Sequence, residues 1–174
     1  MILSAETIKK AVETGEIIIK PFNQEQLGPN SYDLRLHNEL VVYETHNLDM
    51  KKELPTKRIL IPHNGFELQP GTLYLARTHE WTATDCYVPM LEGRSSVGRL
   101  GLSVHITAGF GNLGSSGYWT LELSVVQPLM IYPEVKICQV YFLTVEGAKK
   151  LYTEQNKYRH ADDIQPSMLW KEWK

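Results

Sequence analysis

Ten consecutive residues, Glu92-Gly93-Arg94-Ser95-Ser96-Val97-Gly98-Arg99-Leu100-Gly101, hold two arginines, two serines and three glycines. Serine hydroxyls, backbone N–H groups bared by glycine and arginine forks all donate hydrogen bonds, which is what the oxygens of a phosphate chain accept. About twenty residues later, Thr120-Leu121-Glu122-Leu123-Ser124 sets one carboxylate in a strand-like run. The pair suggests a phosphate cradle facing a carboxylate. The spacing is not that of GxxxxGK[ST], no lysine closes the loop and no strong helix signal follows, so an ordinary P-loop nucleotide hydrolase is not indicated. The competing reading is a glycine-rich turn with a solvated arginine, and spacing alone does not choose between the two.

The elements that must position these residues are mostly strands. Ser4 can cap a short amphipathic helix over Ala5 to Thr14, with Ile8 and Val12 on one face and Gly15 ending it. Short β-type runs follow: Glu16 to Lys20, Ser31 to Leu36, Leu40 to Tyr43, Arg58 to Ile61, Thr72 to Arg77, Leu102 to Thr107, Tyr118 to Val126 and Val135 to Thr144. Pro70-Gly71 and Pro133-Glu134 read as turns, and Pro89 and Pro128 as edge or strand-end positions. Many short strands predict a sandwich, jelly roll or barrel-like sheet. A second short helix is expected over Val145 to Tyr152, after which Thr153 onward forms a tail that turns apolar again at Met168 to Trp173. Such a tail packs on its own domain, or closes over a site or a neighbouring subunit.

Strand parity places Thr120, Glu122 and Ser124 on one face and Leu121, Leu123 and Val125 on the other. Glu122 is then a solvated strand residue, or a carboxylate facing a ligand across the glycine-rich connection Gly111 to Gly117, where backbone can approach closely. A glutamate facing a bound base through a water is what hydrolytic deamination requires. One group must take the water's proton and hand it to the ring nitrogen and then to ammonia. His105 shares a face with Thr107 by the same parity, although a packing role is the commoner one. His37, His46, His63, His79 and His160 are assigned no role.

At 174 residues, with 43% hydrophobic and 22% charged residues, the chain suits one globular domain with a real core. A net charge of −2 gives no electrostatic reason for nucleic-acid binding, and no apolar run reaches the length of a membrane span. The N-terminus lacks a basic, then apolar, leader, so a cytoplasmic location is expected. Cys86 and Cys138 stand apart from any CxxC or histidine at ligand spacing, and reduced thiols are expected, with neither a zinc site nor a disulfide framework.

Four blocks in order carry a resemblance: Pro29-Asn30-Ser31-Tyr32-Asp33-Leu34-Arg35-Leu36, Gly93 to Gly101, His105-Ile106-Thr107-Ala108-Gly109-Phe110, and Thr120-Leu121-Glu122-Leu123. Over nearly its whole length the chain resembles the dCTP deaminase family of the dUTPase-like superfamily. The resemblance implies a mainly β, dUTPase-like distorted jelly roll or β-barrel with a short N-terminal helix. It also implies a homotrimer with active sites between subunits, and zinc-free deamination of a deoxycytidine nucleotide. The domain would span residues 1–152 and the closing tail 153–174. Glu122 matches the general base, and Ser95 and Arg99 match polar residues that position it, the water and the substrate. The Ala108 carbonyl matches a group holding the water. Arg94, Ser95 and Ser96 match triphosphate contacts, Thr107 sits where the base and its water are held, and Lys157 and Tyr158 match the tail's substrate end. Asp33 matches a structural or metal-proximal carboxylate, or simply bonds its own backbone. Magnesium is expected with the triphosphate, with no direct protein ligand. The partners implied are dCTP, dUTP, dTTP as a feedback inhibitor, and two further copies of the chain.

Three positions depart from the family pattern. Asn112 replaces the usual aspartate, and an amide can bond the sugar hydroxyl but cannot act as a base. Ser115 replaces a bulky residue, and Ala161-Asp162-Asp163 replaces a Gln- and Gly-containing stretch, bringing two acids toward a triphosphate. Gly98 and Gly109-Phe110 resemble the branch that continues from dUTP to dUMP, whereas Asn112 argues against it. The balance favours deamination of dCTP continuing to dUMP and pyrophosphate. The alternatives are a deaminase releasing dUTP, a dUTPase, and a non-catalytic nucleotide-binding regulatory trimer.

Overall fold

A computed structural model describes residues 1–147 and 156–173. Helix α1, Ala5–Thr14, starts where the Ser4 side chain accepts from the Thr7 N–H and stops at Gly15, whose φ of 81° ends it in the left-handed region. Its Ile8 and Ala11 are buried. The strands are β1 Ile18–Lys20, β2 Tyr32–Tyr43, β3 Thr56–Leu60, β4 Phe66–Leu68, β5 Tyr74–Ala83, β6 Tyr87–Gly93, β7 Leu102–Ser103, β8 Ser116–Val125, β9 Leu129–Ile131 and β10 Lys136–Thr144. A one-turn helix α2, Ser95–Gly98, interrupts them between β6 and β7. Eight strands form one sheet in the order β6-β10-β2-β5-β8-β7, with β1 on β5 and β3 on β2, while β4 and β9 pair separately. The fold is thus the mainly β, jelly-roll-like architecture expected.

The two long strands make the sheet curl. β2 changes register between Leu36 and Leu40, and β5 between Arg77 and Trp81. Such irregularities bend a strand and raise its twist, so each long strand serves different partners at its two ends. Alternate residues turn inward, and Tyr32, Leu34, Leu36, Leu40, Leu121, Leu123, Val140 and Phe142 form the core with Ile8. The fully buried Glu80 of β5 stays satisfied because its carboxylate accepts from Gln26 Nε2 at 2.9 Å, Arg35 N at 2.8 Å and Arg35 Nε at 2.7 Å.

Several expectations change. Ser31 to Leu36 and Leu40 to Tyr43 are one continuous strand, β2. Strands β4, β6 and β9 were not predicted, the last two because proline and short length hide their pattern. β6 is the end strand, which is how it tolerates Pro89. The run Leu102 to Thr107 is a strand only as far as Ser103. Beyond it the backbone pairs elsewhere: Gly109 accepts from Leu91 N at 2.7 Å and Gly111 N donates to Pro89 O at 2.9 Å. The segment therefore crosses from β8 toward β6. The helix expected over Val145 to Tyr152 lies outside the described residues from position 148 onward. Among the described residues no helix is long and apolar enough to cross a membrane.

Candidate active site

Strand β8 presents the carboxylate. Leu121, Leu123 and Val125 are buried while Thr120, Glu122 and Ser124 are half-buried, so the period of two turns Glu122 away from the core. Register extends that face across the sheet. Arg58 of β3 pairs with Val41 of β2, Val41 with Leu75 of β5, and Leu75 with Glu122. Directly opposed residues on neighbouring strands share a face, so Glu122 ends a row of four.

The chain after β7 fixes the acid. Glu122 Oε2 accepts the Ile106 N–H at 2.7 Å, and the Glu122 N–H donates to the Val104 carbonyl at 2.9 Å. Oε1 is left without a hydrogen-bond partner among the described residues. A cavity of about 620 Å³ opens on this face, within the size range of small-molecule sites. Glu122, Ala108 and Asn112 line it together with Thr82, Trp119 and Tyr118. Trp119 is locked by donating from Nε1 to Thr82 Oγ1 at 3.0 Å, and the Arg77 guanidinium lies 4.0 Å from the centre of the Tyr118 ring. Aromatic walls beside carboxylate, amide and hydroxyl groups, among them Glu122, Asn112 and Thr82, suit a flat, polar heterocycle.

The cradle lies elsewhere in the chain. Ser95, Ser96, Arg99 and Thr107 are exposed and take no part in the cavity lining. Arg94 is half-buried, its Nε 3.0 Å from Asp33 Oδ1 and its Nη1 donating to the Lys136 carbonyl at 2.9 Å. Asp33 is therefore the acceptor of an ion pair, with Lys136 Nζ a further 3.8 Å away, and not a self-bonding strand end. Within one protomer the sequence-predicted residues fall into two groups. Glu122, Ala108, Asn112 and Tyr158 line the cavity, while Arg94, Ser95, Ser96 and Arg99 sit around α2. Lys157 pairs with Glu172.

The C-terminal segment lies along β8. Ala161 forms a parallel bridge with Gly117, and its carbonyl accepts from Tyr118 N at 2.8 Å. Gln165 N donates to Thr120 Oγ1 at 3.1 Å and Ser167 N to the Tyr43 hydroxyl at 2.9 Å. Asp163, one of the two acids in the departing stretch, is paired with Arg58, and its Oδ1 lies 3.5 Å from Arg77 Nε. Burial pushes its carboxyl up, but the Arg58 guanidinium and the Ile164 N–H outweigh this and hold it below the usual carboxylate range.

Sequence reasoning missed Tyr118, Trp119, Thr82 and Arg77. Trp119 is on the wrong parity for the Glu122 face and reaches the cavity because the β5 irregularity rotates the pairing there, which no period-two rule foresees. The loop after β2 also contributes Leu48 and Met50, which look like ordinary loop residues in the sequence. His105 packs its ring against Gly109, and its Nε2 lies 3.7 Å from Glu92 Oε2. His37, assigned no role, contacts Arg77 Nη2 through Nε2 at 2.8 Å. Cys138 is a buried core thiol whose pKa burial pushes far up, while Cys86 is partly exposed.

With this geometry in place, comparison with known proteins identifies the lineage. The family model described as dCTP deaminase-like matches residues 2–145. The chain is 57% identical to a protein of Hathewaya histolytica named "dCTP deaminase, dUMP-forming", across 99% of both chains. Proteins with the same name from Clostridium beijerinckii and Cytophaga hutchinsonii are 55% and 51% identical over the same shares. A crystal structure of 2′-deoxycytidine 5′-triphosphate deaminase from Agrobacterium tumefaciens is similar in fold, with a TM-score of 0.65. It is 18% identical, and the match covers 81% of this chain and 47% of that one. The chain belongs to the dCTP deaminase-like family.

Proposed function

We propose that the protein deaminates dCTP and carries the product on to dUMP and pyrophosphate. The observation that carries the reading is Glu122, turned into an aromatic-walled cavity with one oxygen tied to Ile106 N–H and the other left for a water. In the first step water adds to the C4 carbon of cytosine. Glu122 takes the water's proton and passes it to the ring nitrogen, then moves the proton of the new C4 hydroxyl to the amino group, so that the C4 carbonyl forms as ammonia leaves, giving dUTP. In the second step another water attacks between the α- and β-phosphates, giving dUMP and pyrophosphate. The names of the full-length relatives support this second step over release of dUTP.

In this reading Ser95 and Arg99 position Glu122, the water and the substrate, the Ala108 carbonyl and Thr107 hold the water and base, and Asn112 bonds the sugar hydroxyl. Arg94, Ser95 and Ser96 take the triphosphate, while Lys157 and Tyr158 contact the substrate from the tail. In this reading the complete site forms between neighbouring copies of a homotrimer, which suits cradle residues that do not line the cavity within one protomer. Magnesium would arrive with the substrate and offset the charge of the triphosphate. Among the described residues no cluster of three or more His, Cys, Asp or Glu side chains could hold an ion. A substrate drawn from the free deoxynucleotide pool gives the enzyme a cytoplasmic place, and dTTP, close in shape to the substrate, would act as a feedback inhibitor.

The test is to incubate the protein with dCTP and magnesium and to follow ammonia, dUTP, dUMP and pyrophosphate together. Equal yields of ammonia, dUMP and pyrophosphate are expected. Stoichiometric dUTP without pyrophosphate would remove the second step, and turnover of dUTP but not dCTP would remove the first.

A further inference from the structure

The C-terminal segment is attached to the row of residues that ends at Glu122, and the attachment is specific. Asp163 pairs with Arg58, the first residue of that row, and its Oδ1 lies 3.5 Å from Arg77 Nε. Ile164, 4% exposed, packs on Val41 and Leu75, the second and third. These three form a hydrophobic cluster separate from the main core, with Tyr43 and Leu73 at its border. The Arg77 guanidinium in turn sits over the ring of Tyr118, a wall of the cavity, and Arg77 pairs across the ladder with Thr120, which accepts from Gln165 of the same segment. An acid, an apolar side chain and a backbone ladder thus anchor one stretch, residues 161–165, at four points on the Glu122 face.

We propose that Asp163 and Ile164 latch the C-terminal segment to the strand row of Glu122, and that Arg77 is the positioning residue through which the latch sets the cavity wall at Tyr118. The geometry gives Arg77 two tasks that one lysine cannot combine. Its charge meets Asp163, and its broad guanidinium sits over the Tyr118 ring. Of the two acids at 162 and 163, Asp163 is held by arginines of its own sheet. A loosened latch frees Ala161 and Gln165 from β8 and leaves Tyr118 mobile, so bound substrate is held less well while the chemistry at Glu122 is unchanged.

The inference rests on the deaminase reading, and its test separates the two. Steady-state dCTP turnover is measured for wild type, Asp163→Ala, Asp163→Glu and Arg77→Lys, alongside trypsin cleavage at Lys157 and Arg159 in the same proteins. Asp163→Ala is expected to raise KM about three- to tenfold with kcat changed less than about twofold, the pattern of lost binding common to ground and transition states. Cleavage of the segment should be several-fold faster. Asp163→Glu should recover most of both effects. Arg77→Lys keeps a cation for Asp163 but loses the guanidinium over the Tyr118 ring, so it should raise KM like Asp163→Ala while leaving cleavage near the wild-type rate. An unchanged KM in Asp163→Ala, or a wild-type KM in Arg77→Lys, overturns the proposal. If wild type leaves dCTP untouched the deaminase reading fails instead, and the cleavage arm still decides the latch: an unaccelerated Asp163→Ala overturns it.

Discussion

Glu122 is held by a backbone donor, which lets its chemistry be separated from its structure. Gln keeps an acceptor for the Ile106 N–H 2.7 Å away but cannot take a proton from water. Glu122→Gln should therefore unfold within a degree or two of wild type while kcat for deamination falls by roughly 100- to 10,000-fold, the usual contribution of an acid–base group. Calorimetry beside an ammonia assay reads both, and a variant that keeps more than a tenth of wild-type kcat would remove Glu122 as the base. His37 makes the opposite case, a titratable side chain with a structural task. An arginine only donates, so Nε2 must accept from Arg77 and the ring must be neutral. Burial pushes the His37 pKa down, and the neighbouring Arg77 and His79 add to this against the opposing Glu39 and Asp163. A folded pKa below the unfolded one means that His37 contributes stability above its ordinary value of 6.5, and that this is lost as pH falls through the folded value. His37→Gln, which accepts from Arg77 at any pH, should show a smaller fall in Tm between about pH 7 and pH 5 than wild type.

At the scale of elements, β8 carries most of what the site needs, and it is pinned from both sides. On its inner face Leu121 and Leu123 are fully buried, and on its outer face the C-terminal segment runs close enough that only glycine fits at the crossing. At Gly117, with φ of 136°, an added Cβ would lie 2.5 Å from Ala161 N, in a backbone region that other residues rarely adopt. Gly117→Ala should lift the segment from β8, expose residues 158–167 to hydrogen exchange, and cost about 1–3 kcal/mol from the strained backbone alone. Protection of that stretch equal to wild type would mean that the contact is not what docks it. Legibility from sequence divides along the same line. The helix, its caps and the parity of Thr120, Glu122 and Ser124 were readable because each depends on neighbours within a few residues. The shortened strand after Ser103, the reach of Trp119 into the cavity and the Asp163 to Arg58 pairing depend on register shifts and on partners about a hundred residues away. Local period and propensity carry no record of either.

At the scale of the molecule, the proposed homotrimer makes a quantitative prediction about assembly. Ser95, Ser96 and Arg99 face solvent in one protomer, as do the apolar side chains of Leu100, Ile106, Phe110 and Val126. A cyclic, head-to-tail interface places one surface of each copy against a different surface of the next, which is how the cradle of one chain could meet the Glu122 cavity of its neighbour. Three chains of 20.0 kDa should then sediment at about 60 kDa. The sharper consequence is complementation. Glu122→Gln lacks the base and Arg99→Ala weakens the cradle, so each variant alone has only defective sites. In trimers reassembled from equal amounts of both, a site is intact whenever its carboxylate comes from an Arg99→Ala chain and its cradle from a Glu122→Gln chain. Random mixing makes that about one site in four, so the mixture should recover roughly a quarter of wild-type deamination where neither parent exceeds a few per cent. A site built within a single chain can never be repaired by mixing. Activity in the mixture no higher than the average of its parents would therefore show that cradle and carboxylate of the same protomer meet, and that the interface between copies carries no part of the chemistry.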